Sequence, residues 1–596
     1  MADVYAAPMR DLRFTLEHLV DTDALAKLPP FGHADVETML GLLEEYGRFC
    51  TQELAPLNRV GDEQGAAHDP GTGAVTTPPG WKQAYGKYVA AGWNAVPFPE
   101  AHGGGGFPWL LAIAMQELLT SSNMAFSLCP LLTQGAIDML MHHGTEEQQE
   151  TYLRKMVTGE WTGTMNLTEP QAGSDVGALT TKAVPADDAG DGAYRITGQK
   201  IFITYGDQDL TDNIVHLVLA RVPDAPVGTK GISCFIVPKF LSAKGGDPVL
   251  NGVRCIGIEH KMGIHGSPTC TMEYDGAVGW LVGGEPNRGM AQMFTMMNTA
   301  RLSVGLEGLC LSERAYQAAL SYAVERHQGR APGRPAGTSS PIVDHPDVRR
   351  MLVHVRAHNE AIRALALTNA WAMDVAAHHP DADERSRADE LADLLTPLTK
   401  GWSTDMGSEL TRLATQVHGG MGYIRETGVE QHERDIRIAA IYEGTNGIQA
   451  MDLVGRKLPM RAGGVVADLL GRIEADTAAL DGDLADVGAA LSDGVAAARE
   501  ATVWLLANGL AQPADAFAGA APYLKLLSTV VAGWLMGRQA VAARPGAGTD
   551  PFLAAKVTTA RYFCTQVVPG ARGLIPAVTA GAAVLTDIPV AQLSGA

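Results

Sequence analysis

One acidic residue, Glu443, stands between the apolar run 438–442 and the turn Gly444-Thr445-Asn446-Gly447, which leads into the helical pattern 449–454. A carboxylate pressed against apolar side chains loses solvation. Its charged form is disfavoured, and its pKa rises toward the range of a general base. Thr445, Asn446 and two glycines ahead of a helix leave backbone N–H groups open to a phosphate or carbonyl oxygen, and Asn446 with Gln449 has the spacing of a capping box. The octet thus puts a base and an anion site side by side. Taken alone, it also reads as a solvated loop glutamate before a capped helix.

The elements that must position this turn follow from periodicity. Residues 1–33 read as an extension, with an amphipathic stretch at 12–19 and the breaker Leu28-Pro29-Pro30-Phe31-Gly32. Apolar spacing predicts an N-terminal helical domain over 34–160. Its four-glycine run, Gly103 to Gly106, lacks the Lys-Ser/Thr of a phosphate loop and reads as a flexible helix connector. β-branched alternation predicts a central β domain over 161–284, with strands at 194–197, 200–204, 214–220 and 232–237 and a turn at Thr197-Gly198. A helical bundle follows over 285–458. Leu458-Pro459 and Gly463-Gly464 then open a C-terminal helical domain over 459–596. The fold class is α+β, mostly α.

This order becomes specific at 165–175, Met-Asn-Leu-Thr-Glu-Pro-Gln-Ala-Gly-Ser-Asp. Here the chain resembles the acyl-CoA dehydrogenase family, whose LTEPxxGSD signature it carries. Further matches come in the family's order: Gly144-Thr145-Glu146-Glu147-Gln148 with Gly159-Glu160-Trp161, the stretch 198–206, Ala300-Arg301, Gln416-Val417-His418-Gly419-Gly420, Arg434-Asp435 and the Glu443 turn. Phe202 stands where the family usually has a tryptophan that packs on the flavin, and Tyr205 replaces the usual asparagine. The extension and the helical tail resemble the long-form branch, which includes mycobacterial fatty acyl-CoA dehydrogenases and 3-(methylthio)propanoyl-CoA dehydrogenases.

The resemblance implies an N-terminal helical domain, a β-barrel-like domain and a four-helix bundle, plus the extra C-terminal domain. It implies FAD as cofactor, with Met165, Leu167, Thr168, Phe202, Thr204, Arg326, Gln416, Gly419, Gly420 and Thr445 as its contacts. The long loop after Gln328 leaves the role of Arg326 open. Ser174, Gly173, Arg301, Tyr442 and Gly444 are the implied acyl-CoA contacts, with Arg301 reading equally as a helix-to-helix ion-pair residue. Glu443 is the implied catalytic base, removing the α proton of a saturated acyl-CoA while flavin N5 takes the β hydride to leave the trans-2-enoyl-CoA. Some members carry the base just before the arginine that matches Arg301; here that residue is Ala300, which takes no proton. The implied partner is an electron-transfer flavoprotein and the implied assembly a homodimer. An acyl-CoA oxidase and a non-catalytic DNA-binding flavoprotein relative are the alternative readings.

Composition bounds these readings. The 596 residues suffice for several domains, and a net charge of −20 argues against a broad nucleic-acid footprint or an anionic membrane surface. Seven scattered cysteines without CxxC spacing predict reduced, core-packing thiols and no metal site. The N-terminus shows no basic leader with an apolar segment, and no apolar run reads as long enough to span a bilayer, so a cytoplasmic location is expected.

Overall fold

The computed structural model describes residues 5–241, 247–509 and 511–595. The first four residues of the predicted extension lie outside them. The chain divides into two compact units: Tyr46–Pro108 with Leu118–Ser303, and Met1–Glu45 with Trp109–Glu117 and Val304–Ala596.

The first unit is built on a mixed sheet. Its strands are β1 (Trp161–Asn166), β2 (Lys182–Pro185), β3 (Ala193–Thr204), β4 (Asn213–Ala220), β5 (Ser233–Pro238), β6 (Val253–Ile258) and β7 (Thr269–Leu281). Their order is β1-β4-β5-β7-β3-β2, with β6 on β7; β1 and β4 run parallel, and Lys182 of β2 forms a parallel bridge to Arg221. Past the end of β4, Arg221 N donates to Thr181 O and Ala183 N donates to Arg221 O, both at 2.9 Å. These bonds join the β2 edge back to β4 and close the sheet into a small barrel. Ile196, Val218, Phe235, Val237, Met272 and Tyr274 fill its core.

Two expectations are corrected here. The predicted turn at Thr197-Gly198 lies inside one unbroken twelve-residue strand, paired with β7 along its length. The glycine is there for closeness, since a Cβ at 198 would lie 2.5 Å from Thr181 Oγ1. Nor is the four-glycine run a flexible connector. Gly104, Gly105 and Gly106 donate to Pro99, Ala95 and Phe98 carbonyls at 2.8–3.0 Å, and a Cβ at 104 would lie 1.9 Å from Phe98 O. The run is a tightly bonded turn folded onto its own preceding segment.

The second unit is helical. We number its main helices α1 (Met9–His18), α2 (Gly289–Glu325, of which this unit holds the part from Val304), α3 (Pro346–His378), α4 (Ala382–Pro397), α5 (Ser403–Val417), α6 (Asn446–Asp452), α7 (Ala485–Gly509), α8 (Ala520–Ala543) and α9 (Pro551–Tyr562). A five-residue π-turn, Leu398–Trp402, joins α4 to α5. Such one-turn widenings shift the register of a helix and recur at functional sites. Here α2 and α5 approach closely enough that a Cβ on Gly308 would lie 2.0 Å from Ser403 O, and one on Gly407 2.5 Å from Gly308 Cα. The apolar α8 packs against α3, α6, α7 and α9.

Buried charge joins the extension and the C-terminal helices to this bundle. Arg363 on α3 pairs with Glu117 at 2.6 Å, and Lys556 on α9 pairs with Asp11 on α1 at 2.6 Å and with Glu360 on α3 at 3.4 Å. The extension is therefore built in, with Tyr5, Leu12, Phe14 and Leu16 buried. The expectation about bilayer-spanning length concerned uninterrupted apolar runs; two helices broken by polar residues come near that length. Met124–His143 and Ala520–Gly546 qualify by length and composition, but 89% and 83% of their apolar windows are buried inside the protein. Both serve as core helices. All seven cysteines are buried free thiols.

Candidate active site

The Glu443 turn is held in an unfavourable backbone conformation. Glu443 has φ +55° and Gly444 φ +79°. Glycine adopts this region freely, whereas a residue with a Cβ is strained there by about 1–2 kcal/mol. Strain of this kind persists only where neighbours fix it, and they are identifiable. Lys400, fully buried in the π-turn, donates from Nζ to Gly444 O at 2.7 Å and to Asn446 Oδ1 at 2.9 Å. Asn446 Nδ2 in turn donates to Gly401 O at 2.9 Å and Asp405 Oδ1 at 2.7 Å, and Gln449 Nε2 donates to Glu443 O at 3.3 Å.

The helix cap differs from the one expected. Thr445, not Asn446, caps α6, its hydroxyl accepting from Ile448 N at 3.2 Å. Asn446 is free for the π-turn because its amide can donate and accept at once. The half-buried Glu443 is thus carried on a clamped turn.

A second carboxyl lies beneath it. Glu307 on α2 is fully buried, and the Tyr442 hydroxyl lies 2.6 Å from each of its oxygens. Loss of solvation pushes the Glu307 carboxyl up to about 8. The Tyr442 hydrogen bond and the Lys400 charge pull it down, and the Glu443 charge pushes it further up. At that value Glu307 holds its proton predominantly at pH 7, and Lys400 and Glu443 are the opposed charges that act on it. Sequence reasoning missed both Glu307 and Lys400. Their signal was present as single charges inside the apolar stretches Leu302-Ser-Val-Gly-Leu-Glu-Gly-Leu-Cys and Leu398-Thr-Lys-Gly-Trp.

In the barrel unit, residues 165–168 run beside β3. Ile201 N donates to Thr168 O at 2.9 Å, and Lys200 Nζ donates to Leu167 O at 3.0 Å. This brings half-buried Leu167 and Thr168 beside Lys200 and Ile201, the residues before Phe202 on the strand that ends at Thr204. Phe202 is 58% exposed with φ +60°, an aromatic ring presented to solvent from a strained backbone. Tyr205 has φ +51°, but its ring is buried and its hydroxyl donates to Ala125 O at 2.8 Å.

The acid of the 165–175 motif is an anchor. Buried Glu169 accepts from Lys200 Nζ at 2.8 Å and from both the N–H and hydroxyl of Thr180 and Thr181 at 2.6–3.0 Å. Burial works to raise this carboxyl, yet the Lys200 charge and these donors bring it down to about 2. Burial lowers Lys200 to about 8 against the opposing pull of Glu169. Gly173 and Ser174 follow in the exposed part of the turn.

The remaining predicted residues fall elsewhere. Arg301 is buried on α2 within the barrel unit, its guanidinium 5.8 Å from the Phe294 ring centre. In the helical unit, His418 stacks on Tyr322 at 4.5 Å, which places the C-terminal ends of α2 and α5 side by side. Exposed Arg326 therefore shares one end of the bundle with exposed Gln416, Gly419 and Gly420. That end lies roughly 22 Å along α2 from Glu307, at 1.5 Å per residue. The structure brings Tyr442, Glu443, Gly444 and Thr445 together but leaves Gln416, Gly419 and Gly420 at a distance from them.

Four family descriptions match in sequence. Residues 37–160, 164–277 and 287–458 match the N-terminal, middle and C-terminal domains of acyl-CoA dehydrogenase, and 469–589 match "Acetyl-CoA dehydrogenase C-terminal like". The chain belongs to the acyl-CoA dehydrogenase family. It is 46% identical over 575 residues to "3-methylmercaptopropionyl-CoA dehydrogenase" of Ruegeria pomeroyi, covering 95% of this chain and 96% of that protein. It is 35% identical to "Broad-specificity linear acyl-CoA dehydrogenase FadE5" of Mycobacterium tuberculosis, covering 95% and 96%. An acyl-CoA dehydrogenase of Bacillus anthracis, solved in complex with FAD, superposes with a TM-score of 0.71 at 21% identity, covering 94% of this chain and 90% of that one. The protein is thus an oxidoreductase with the acyl-CoA dehydrogenase fold, in the branch that carries the extra C-terminal helical domain.

Proposed function

We propose that this dehydrogenase converts a saturated acyl-CoA to its trans-2-enoyl-CoA, with Glu443 removing the α proton. The observation that carries this reading is the clamped, strained turn that presents Glu443 beside a neutral buried acid and a buried ammonium. Strain held by several hydrogen bonds is common at positions fixed for chemistry. Ala300, at the other place where relatives keep a base, offers no proton acceptor.

The residues present suit FAD. Exposed Phe202 offers a flat ring, Met165, Leu167, Thr168 and Thr204 would add further contacts, and Thr445 adjoins the base. Bound FAD would supply the acceptor for the β hydride. Glu443 would take the α proton, and its own backbone N–H would hold the thioester oxygen where negative charge develops. Gly173 and Ser174 would meet the pantetheine, and Gly444 and Tyr442 the acyl group. Gln416, Gly419 and Gly420 stand at the far end of α2 next to exposed Met421, Tyr423 and Ile424, an apolar surface suited to cover by a second copy. In a homodimer this loop would serve the partner's cofactor. Electrons would leave to an electron-transfer flavoprotein, and the location would be cytoplasmic.

The 46% identity over nearly the whole chain supports 3-(methylthio)propanoyl-CoA as the first substrate to test. Anaerobic titration of the purified flavoprotein with this thioester and with linear acyl-CoAs should bleach the flavin bands and rank the substrates. Glu443→Gln should keep the flavin spectrum and lose bleaching by a factor of 10² to 10⁴. Wild-type bleaching in that variant would sink the assignment.

A further inference from the structure

We infer that Glu307 is a positioning residue for the base, holding the Glu443 turn through the Tyr442 hydroxyl and adjusting, by its own proton, how strongly Glu443 attracts one. This rests on the reading of Glu443 as base. Tyr442 immediately precedes Glu443, and its hydroxyl sits on both oxygens of a carboxyl carried by a different element, α2. A hydrogen bond one residue before a strained position limits the ways the turn can relax. From the other side, Lys400 on the π-turn holds the carbonyl one residue after it. The base is therefore clamped on both flanks, by an acid on α2 and a base on the α4–α5 junction.

Around Glu307 the charged and titratable groups are Tyr442 and Glu443 from the turn and Lys400 from the π-turn. With Glu307 protonated, Lys400 and Glu443 balance. With Glu307 ionised, the cluster carries an excess negative charge that makes Glu443 hold a proton more tightly, hence a stronger base. The relation is mutual: once Glu443 has taken the substrate proton its charge is gone, and Glu307 ionises more readily. Glu307 touches neither substrate nor cofactor in this account; it acts through Glu443.

The test is the pH dependence of turnover at saturating acyl-CoA for the holoenzyme, Glu307→Gln and Tyr442→Phe. Wild-type kcat should rise about three- to tenfold through an inflection near pH 8, as ionised Glu307 strengthens the base. Glu307→Gln, which keeps an oxygen for Tyr442, should lose that inflection while KM stays within about twofold. Tyr442→Phe removes a hydrogen bond that favours the ionised form, so its inflection should move to higher pH.

A second readout needs no turnover. Buried Asp374 also holds a proton near pH 7, so the infrared band of a protonated carboxyl is read as the difference from the matching Glu307→Gln protein. The Glu307 part should disappear between pH 7 and 9 in the wild type and at lower pH in Glu443→Gln, where the charge that raises it is gone. An unchanged kcat profile in Glu307→Gln, or no loss of protonated-carboxyl intensity between the wild type and Glu307→Gln at pH 7, would overturn the inference. Retained activity in Glu443→Gln would overturn the assignment of the base instead, so the two failures are separable. If Glu307→Gln does not fold, Tyr442→Phe and the wild-type infrared titration still decide.

Discussion

Replacing Lys200 by Met removes the ammonium that faces Glu169 inside the barrel unit, where both side chains are buried and 2.8 Å apart. Bringing Glu169 from 4.5 to about 2 favours its ionised, folded form by about 3 kcal/mol, at about 1.4 kcal/mol per pH unit. Bringing Lys200 from 10.5 to about 8 disfavours its charged form by a similar amount. The two shifts share one attraction and are not additive; the intact pair offsets the burial of both charges, as buried ion pairs commonly do, with little net gain. Removing one partner is different, because Glu169 is then buried with its charge uncompensated, at about 3–5 kcal/mol.

Amide exchange read by mass spectrometry is the suitable assay, since a chain with two compact units does not unfold in one step. In Lys200→Met, exchange in peptides covering Thr180, Thr181 and Ile201 should accelerate about a hundredfold or more. In Glu169→Gln/Lys200→Met part of that should be recovered: the buried charge is gone, but the glutamine oxygen can accept from only one of the two threonine N–H groups. The sign with pH follows from the depressed carboxyl. The Glu169 contribution is fully present above about pH 4.5 and is lost as pH falls toward 2, and Glu169→Gln should show no such acid loss. Exchange in Lys200→Met within threefold of wild type would refute the view that this pair anchors the turn.

Phe202→Gly should relieve the φ +60° strain without unfolding the barrel, yet weaken binding of FAD to the apoprotein about tenfold by losing the ring; Phe202→Trp should retain it. Quenching of flavin fluorescence on titration with apoprotein measures both. Asp374 on α3 accepts from Trp109 N and Leu110 N at 2.9 and 2.8 Å, and burial pushes its carboxyl up to about 7 against these donors. A carboxyl raised on folding contributes most at low pH, so stability of the helical unit should fall as pH rises from about 4 to 7. In Asp374→Asn that slope should flatten in amide exchange of peptides covering Trp109 and Leu110, followed across the range.

The sequence by itself determined what depends on local pattern. The helix, sheet, helix order, the long bundle helices and the turn carrying Glu443 follow from periodicity and from residue types with strong backbone preferences. The 165–175 motif gave the family directly. Tertiary structure decided what depends on residues far apart in the chain. The barrel closes through hydrogen bonds between residue 221 and residues 181 and 183, separated by about 40 positions. Gly198 looked like a turn because glycine commonly marks one; it lies within a strand, paired with Tyr274, and is glycine because Thr181 leaves no room for a Cβ. Glu307 and Lys400 were single charges in apolar stretches, and no spacing links them to Glu443. They meet it only because glycines at 308 and 407 let α2 and α5 approach to backbone contact and a π-turn aims Lys400 at the carbonyl of Gly444. A local pattern can single out Glu443, but the charged groups around it are chosen by packing.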